Sequence, residues 1–210
     1  MKRLSKLEEP TSYLIPARRG RAEIREKASR FMAFVFPMTS PEEGTRAIEK
    51  LARDYHDATH VAFAWKIGTG SRRATRASDA GEPAGTAGKP IASAIESSGL
   101  TDVGVAVVRY FGGTKLGTGG LARAYREAAA AALSRAGSRE VVDAVEVVVR
   151  CGWDRAGAVR RLIRPPEVTL VQEGFDDVCL FRLAVYRSRL RALCEGLDDA
   201  RVAYEISADA

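Results

Sequence analysis

Cysteine and histidine are scarce in this chain, with Cys151, Cys179 and Cys194 as the only thiols and His56 and His60 as the only imidazoles among 210 residues. An odd number of cysteines without C-x-x-C spacing excludes a disulfide framework and offers no zinc site. Cys194 shares a helical stripe with Leu190, Leu193 and Leu197, the position of a core thiol and not of a reactive one. No carboxylate stands at metal-like spacing from His60, so this residue is read as a structural histidine and no metal is expected. Long apolar runs are missing too. Nothing approaches the roughly 20 apolar residues of a membrane helix, and the opening MKRLSKLEE has no apolar core of a secretory signal. The expectation is a cytoplasmic protein with no membrane partner.

What is present is an ordinary globular composition, 46% hydrophobic and 29% charged, with an uneven charge distribution. Residues 1–139 hold 23 Lys and Arg against 14 Asp and Glu, whereas residues 140–210 hold 10 against 13. A phosphate-rich partner would be drawn to the first part. That part also contains most of the glycine.

The densest glycine stretch is Val103 to Tyr125, VGVAVVRYFGGTKLGTGGLARAY. A β-branched run predicts a buried strand, which empties into a loop with Gly112, Gly113, Gly117, Gly119 and Gly120 before an alanine-rich helix over 120–136. Glycines let amides converge on one point, and a helix N-terminus adds about half a positive charge there. Arg109 and Lys115 flank that point, which makes an anion the natural guest. Lys115 precedes the final glycines, so the stretch is not a Walker A loop, and it lacks the dinucleotide-binding pattern as well. The alternative is a tight crossover turn.

A second glycine segment, SDAGEPAGTAGKP over 78–90, runs into a helix expected over 90–97. Asp79 and Glu82 are read as loop-organising carboxylates that accept backbone amides, and Thr86 as a helix cap. Lys89 puts a cation beside a helix start, which is unfavourable unless an anion sits there; a solvated lysine is the other reading. Upstream, strands are expected over 13–15, 21–27 and 31–36, with Arg18-Arg19-Gly20 as the first turn. A capping box, Ser40-Pro41-Glu42-Glu43, opens a helix, and strands follow over 60–67 and 74–78. A single long strand is expected over 141–150. From about residue 145 the order strand, helix, strand, strand, helix, strand predicts a ferredoxin-like βαββαβ domain that positions or docks.

GEPAGTAGKP followed by VVRYFGGTKLGTGGLARAY resembles the signature of the YigZ/IMPACT family, in particular its bacterial YigZ-like members. Lys27-Ala28-Ser29-Arg30-Phe31 and His60 to Trp65, HVAFAW, support the resemblance. Ala80 replaces a frequent acidic residue, and Val61 and Ala62 replace a frequent cysteine or histidine, which weakens any proposal of metal or nucleophile chemistry there. The resemblance implies an α+β protein. Residues 1–139 would form an IMPACT-type domain resembling the second domain of small-subunit ribosomal protein five, and residues 140–210 a ferredoxin-like domain. Eukaryotic relatives are translational regulators acting through an additional N-terminal module that this sequence does not show.

The leading functional expectation is therefore a nucleic-acid-binding or ribosome-associated translation regulator. Lys89, Arg109, Lys115, Arg123, Thr118 and the amides of Gly112, Gly113, Gly117, Gly119 and Gly120 would hold phosphates. Tyr110 and Phe111 would either stack on a base or pack in the core. No catalytic residue and no cofactor are assigned. Two other readings stand beside it: an enzyme acting on a phosphorylated small molecule, and a regulator that binds an acidic protein partner.

Overall fold

A computed structural model describes residues 12–207, so the MKRLSKLEE stretch lies outside the described residues. These residues form two compact units, one spanning Tyr13–Val141 and one from Val142 onward.

The larger unit is an antiparallel five-stranded sheet of β2 (Gly20–Glu26), β3 (Ser29–Pro37), β4 (His60–Ile67), β5 (Ala74–Ser78) and β6 (Val103–Tyr110), in the order β2-β3-β6-β4-β5. Because β6 is central and covered on both sides, its sequence reads as a continuous apolar run and not as an alternation. One face, through Ala33, Val35, Ala64, Val105 and Val107, packs on α2 (Gly88–Ser98) and α3 (Gly117–Ala136). The opposite face, through Phe36, Trp65 and Ala106, meets Ala47, Ile48 and Leu51 of α1 (Pro41–Asp54). The alanines of α3 permit a close approach: a Cβ on Gly20 would stand 2.3 Å from the Ala132 carbonyl oxygen.

Ser40 caps α1 by accepting the Glu43 amide at 3.3 Å, while Glu43 reaches back to the Thr39 amide at 2.7 Å, one residue beyond the usual partner of a capping box. The Thr39 contacts hold the Glu43 carboxyl below its ordinary range. β1 (Ser12–Pro16) pairs with β7 (Ser138–Val142) and not with the strand that follows it. Two sequence expectations need correction. The strand expected over 141–150 is two, broken at buried Asp143, whose carbonyl accepts the Arg187 amide at 2.8 Å and whose carboxylate takes Arg187 Nε at 3.0 Å. Finally, α3 begins at Gly117, so the last three loop glycines are its first turn.

The smaller unit contains β8 (Ala144–Cys151), α4 (Trp153–Leu162), β9 (Val168–Phe175), β10 (Cys179–Tyr186), α5 (Arg187–Asp199) and β11 (Ala203–Ile206). Its sheet order, β11-β8-β10-β9, is that of the ferredoxin-like fold. Val145, Val147, Val149, Phe181, Leu183 and Val185 project to one side and join Val159, Leu193 and Leu197 of the helices in a second core. On the other side of the same strands Arg182 pairs with Glu146, and Arg150 with Glu205. That side presents ion pairs where a sheet that reads bases would present aromatic rings.

Candidate functional site

The two glycine segments turn out to differ in what satisfies them. At the start of α2 the residue in the capping position, Ala87, has no polar side chain. Asp79, at the end of β5, fills that role from a distance. Its Oδ1 accepts the amides of Ala87 at 2.9 Å and Gly88 at 2.8 Å, and its Oδ2 accepts that of Gly85 at 2.8 Å. Burial pushes the Asp79 carboxyl up, but the three amides and Lys89 outweigh it and hold the group below the ordinary carboxylate range. Gly88 must be glycine, because a Cβ there would stand 2.7 Å from the Ser78 backbone nitrogen. Thr86 does not cap α2 as its sequence position suggests: it is buried and donates its hydroxyl to the Pro83 carbonyl at 2.7 Å, fixing the turn before the helix. The anion called for beside Lys89 is therefore part of the protein.

A lowered folded pKa means that Asp79 contributes stability above its unfolded value and loses it as pH falls through the folded one. Asp79→Asn is expected to cost about 1–2 kcal/mol at pH 7, the scale of a lost charged cap. The difference from wild type should narrow as pH falls below about 4, where the unfolded carboxyl takes up its proton while the folded one still holds its charge, and should close only below the folded value. Urea unfolding at pH 7 and pH 3 checks both.

Glu82 lies within the same segment but is turned inward. Both of its carboxylate oxygens take Arg109 Nη1, at 2.7 and 2.9 Å, and Oε1 also accepts the Tyr125 hydroxyl at 2.7 Å. All three residues are buried. The Arg109 guanidinium lies 5.5 Å from the ring centroids of both Phe31 and Phe111, and burial, followed by the Glu82 hydrogen bond, holds the Tyr125 phenol far above its usual range. Two of the roles assigned from sequence change here. Glu82 receives a guanidinium and a phenol instead of backbone amides, and Arg109 faces a carboxylate in the interior instead of presenting a charge to solvent. A strand-terminal arginine before a glycine loop reads as a ligand cation in sequence; the partner that claims it is 27 residues away.

His60 is a cross-strand neighbour of Arg109. Its Nδ1 lies 2.8 Å from the Ala80 carbonyl oxygen, which only accepts, so that nitrogen carries the proton. Ala80 is held at φ 49°, in the left-handed region that an acidic or amide side chain tolerates better than alanine. Among the described residues no group of three His, Cys, Asp or Glu is placed to hold a metal ion.

In the second glycine loop, the first amides are already engaged. The Phe111 amide donates to Thr59 Oγ1 at 2.9 Å and the Gly112 amide to Ser29 Oγ at 3.2 Å. Gly112 lies against the β2–β3 turn, where a Cβ would come within 2.0 Å of the Ala28 carbonyl. Tyr110 is neither core nor free: its hydroxyl donates to Asp57 Oδ1 at 2.6 Å and Arg30 lies 4.6 Å from its ring centroid. That hydrogen bond lowers the Asp57 carboxyl and raises the Tyr110 phenol. Phe111 is exposed, as are Gly113 and Lys115.

The start of α3 is different. No side chain caps it, and its first turn carries no acidic residue. The first amides of a helix have no partner within it, so those of Thr118, Gly119 and Gly120 converge at a positively polarised end. Gly113 and Gly117 take φ of 84° and 69°, and a Cβ on Gly119 would meet nothing within 4 Å. Lys89, Lys115 and Arg123 are exposed. A depression of about 440 Å3 between α2 and α3 is lined by Gly85, Lys89, Ser93, Arg123 and Arg126 among others. Arg126 was not among the site residues read from sequence, although its i, i+3 spacing from Arg123 placed both on one stripe.

The fold and this site define a two-unit α+β protein in which a five-stranded sheet covered by helices, with one internally satisfied and one open glycine segment, precedes a ferredoxin-like unit. The Impact N-terminal domain family matches residues 27–133. The chain belongs to the IMPACT family. It is 34% identical over 188 residues to the IMPACT family member of Haemophilus influenzae, covering 89% of this chain and 91% of the relative. It is 46% identical over 136 residues to the Thermus thermophilus IMPACT family member in the pol 5' region, covering 65% of this chain and 72% of that one. A crystal structure of a hypothetical protein superposes with a TM-score of 0.64 at 27% identity, covering 96% of this chain and 98% of the other. No described helix is long and apolar enough to cross a membrane.

Proposed function

We propose that this chain is a translation regulator that binds RNA, ribosomal RNA included, through the face formed by the start of α3 and the groove between α2 and α3. The observation that carries the reading is the contrast between the two helix starts. α2 is neutralised by Asp79, whereas α3 has neither a cap nor an acidic residue in its first turn and stands among Lys89, Lys115, Arg123 and Arg126. Such a face meets phosphate oxygens with amides, a threonine hydroxyl and cations, giving affinity with little sequence choice. Phe111, exposed at the mouth of the loop, offers a ring to an unpaired base. Arg109 has no part in phosphate contact, and Tyr110 serves to fix the loop. Membership of the IMPACT family supports the translational side of the reading.

Titration of a fluorescent single-stranded RNA across a salt series tests it. Binding should weaken steeply as salt rises, and Lys115→Ala/Arg123→Ala/Arg126→Ala should flatten the log–log slope by about two units, since each phosphate contact on a single strand contributes about 0.7. Absence of binding at low salt by folded wild-type protein, or an unchanged slope in the triple variant, would overturn it.

A further inference from the structure

The smaller unit carries an aromatic surface that the RNA reading does not use. Trp153 opens α4 and Phe175 closes β9, and their rings stack at 5.3 Å with 24° between the planes. Both remain open to solvent, Trp153 by 61% and Phe175 by 43%, and Val178 beyond them is exposed as well. Phe175 is held in place from several sides. It meets the buried Phe181 ring edge-on at 6.5 Å, and the Arg160 guanidinium lies 5.5 Å from its centroid while its Nε donates to Glu173 at 3.0 Å. The ledge is thus ordered before anything binds, and a large exposed indole on a rigid support is the kind of residue that dominates protein interfaces.

Charge identifies the occupant. Asp176 and Asp177 follow Phe175 directly and are exposed, and neither has an ion-pair partner among the described residues. The other charges of the ledge are matched, Asp154 with Arg155 and Glu173 with Arg160. The uncompensated charge beside the rings is therefore negative, in the part of the chain where acidic residues outnumber basic ones, 13 to 10. A nucleic acid stacking a base on Trp153 would bring phosphates against those two carboxylates. A guanidinium or ammonium satisfies both features, because indole is the best aromatic partner for a cation.

We propose that the Trp153–Phe175 ledge docks an arginine- or lysine-rich segment of a protein partner, with one cation lying on the Trp153 indole and its neighbours meeting Asp176 and Asp177. This surface is independent of the α2–α3 face and opposite to it in charge.

The test uses the full chain and a fluorescein-labelled synthetic Arg/Lys/Gly peptide, with a Glu/Gly peptide and oligouridylate as comparisons. Trp65, the other tryptophan, is only 8% exposed, so acrylamide quenching of indole emission reports mainly on Trp153. The basic peptide should protect Trp153 from quenching while the acidic peptide and the oligonucleotide do not. By peptide anisotropy, Trp153→Ala should weaken binding about tenfold, the scale of a desolvated cation–aromatic contact, and Trp153→Phe should retain most of it. Asp176→Asn/Asp177→Asn should weaken binding and flatten its salt dependence. Both sites are exposed, so circular dichroism should show unchanged folding. No protection by the basic peptide, equal binding by Trp153→Ala, or protection by oligouridylate in its place would overturn the proposal. The RNA titration above is unaffected by any of these outcomes.

Discussion

Glu82→Ala is expected to destabilise the larger unit by about 3–5 kcal/mol, the range for breaking a buried ion pair from one side. The side chains of Glu82 and Arg109 are only 2% and 7% exposed, so the substitution leaves a guanidinium without a counter-charge in a site that water does not reach. It also strips the Tyr125 hydroxyl of its acceptor. The arginine has little in reserve: its Nε is buried without a hydrogen-bond partner, and two aromatic faces flank the guanidinium. Removing the whole polar cluster should cost much less. Glu82→Leu/Arg109→Met/Tyr125→Phe replaces each member by an apolar group of similar size, and such replacements of buried ion pairs are often neutral. Urea unfolding of the two variants gives the comparison. A triple variant as unstable as Glu82→Ala would mean that the cost lies in packing and not in the orphaned charge. The triple variant should also keep its RNA affinity and salt slope, because Arg109 faces inward.

This cluster marks the boundary of what the sequence makes legible. Elements declared by local chemistry are readable: His60–Ile67 and Ala74–Ser78 fall on β4 and β5, the Ser40 cap starts α1, and the βαββαβ order of the smaller unit follows from its alternating patterns. The glycine segments are readable as segments, too. Their partners are not, because a carboxylate among glycines looks alike whether it turns to backbone amides, as Asp79 does, or into the core, as Glu82 does. The choice depends on which residue of a distant strand arrives opposite, here Arg109 at the end of β6. Similarly, Gly117, Thr118 and Gly119 read as loop because glycine is a poor helix former, yet packing of the alanine face of α3 on the sheet carries the helix through them. The break at Asp143 was hidden for a related reason, since the arginine that engages it lies 44 residues on.

The open start of α3 makes a prediction in which stability and binding move in opposite directions. Gly119→Glu should raise stability by about 1–2 kcal/mol. Replacing a helical glycine by a good helix former gives about 0.5–1 of this, and a carboxylate in the first turn of a helix adds about 0.3–1. The site has room for the side chain, with nothing within 4 Å of a Cβ there, and the left-handed φ belongs to Gly117, two residues earlier, which the substitution leaves alone. The same carboxylate would occupy the place where we propose a phosphate sits and would face Lys115 and Arg123 in its stead. RNA affinity should fall more than tenfold at low salt, and the loss should shrink as salt screens the repulsion. Gly119→Gln separates the two causes: it should keep most of the helix gain and most of the binding. An α3 start that serves only to pack the helix would let Gly119→Glu gain stability with RNA affinity unchanged, and that result would remove the amides of Thr118, Gly119 and Gly120 from the interface.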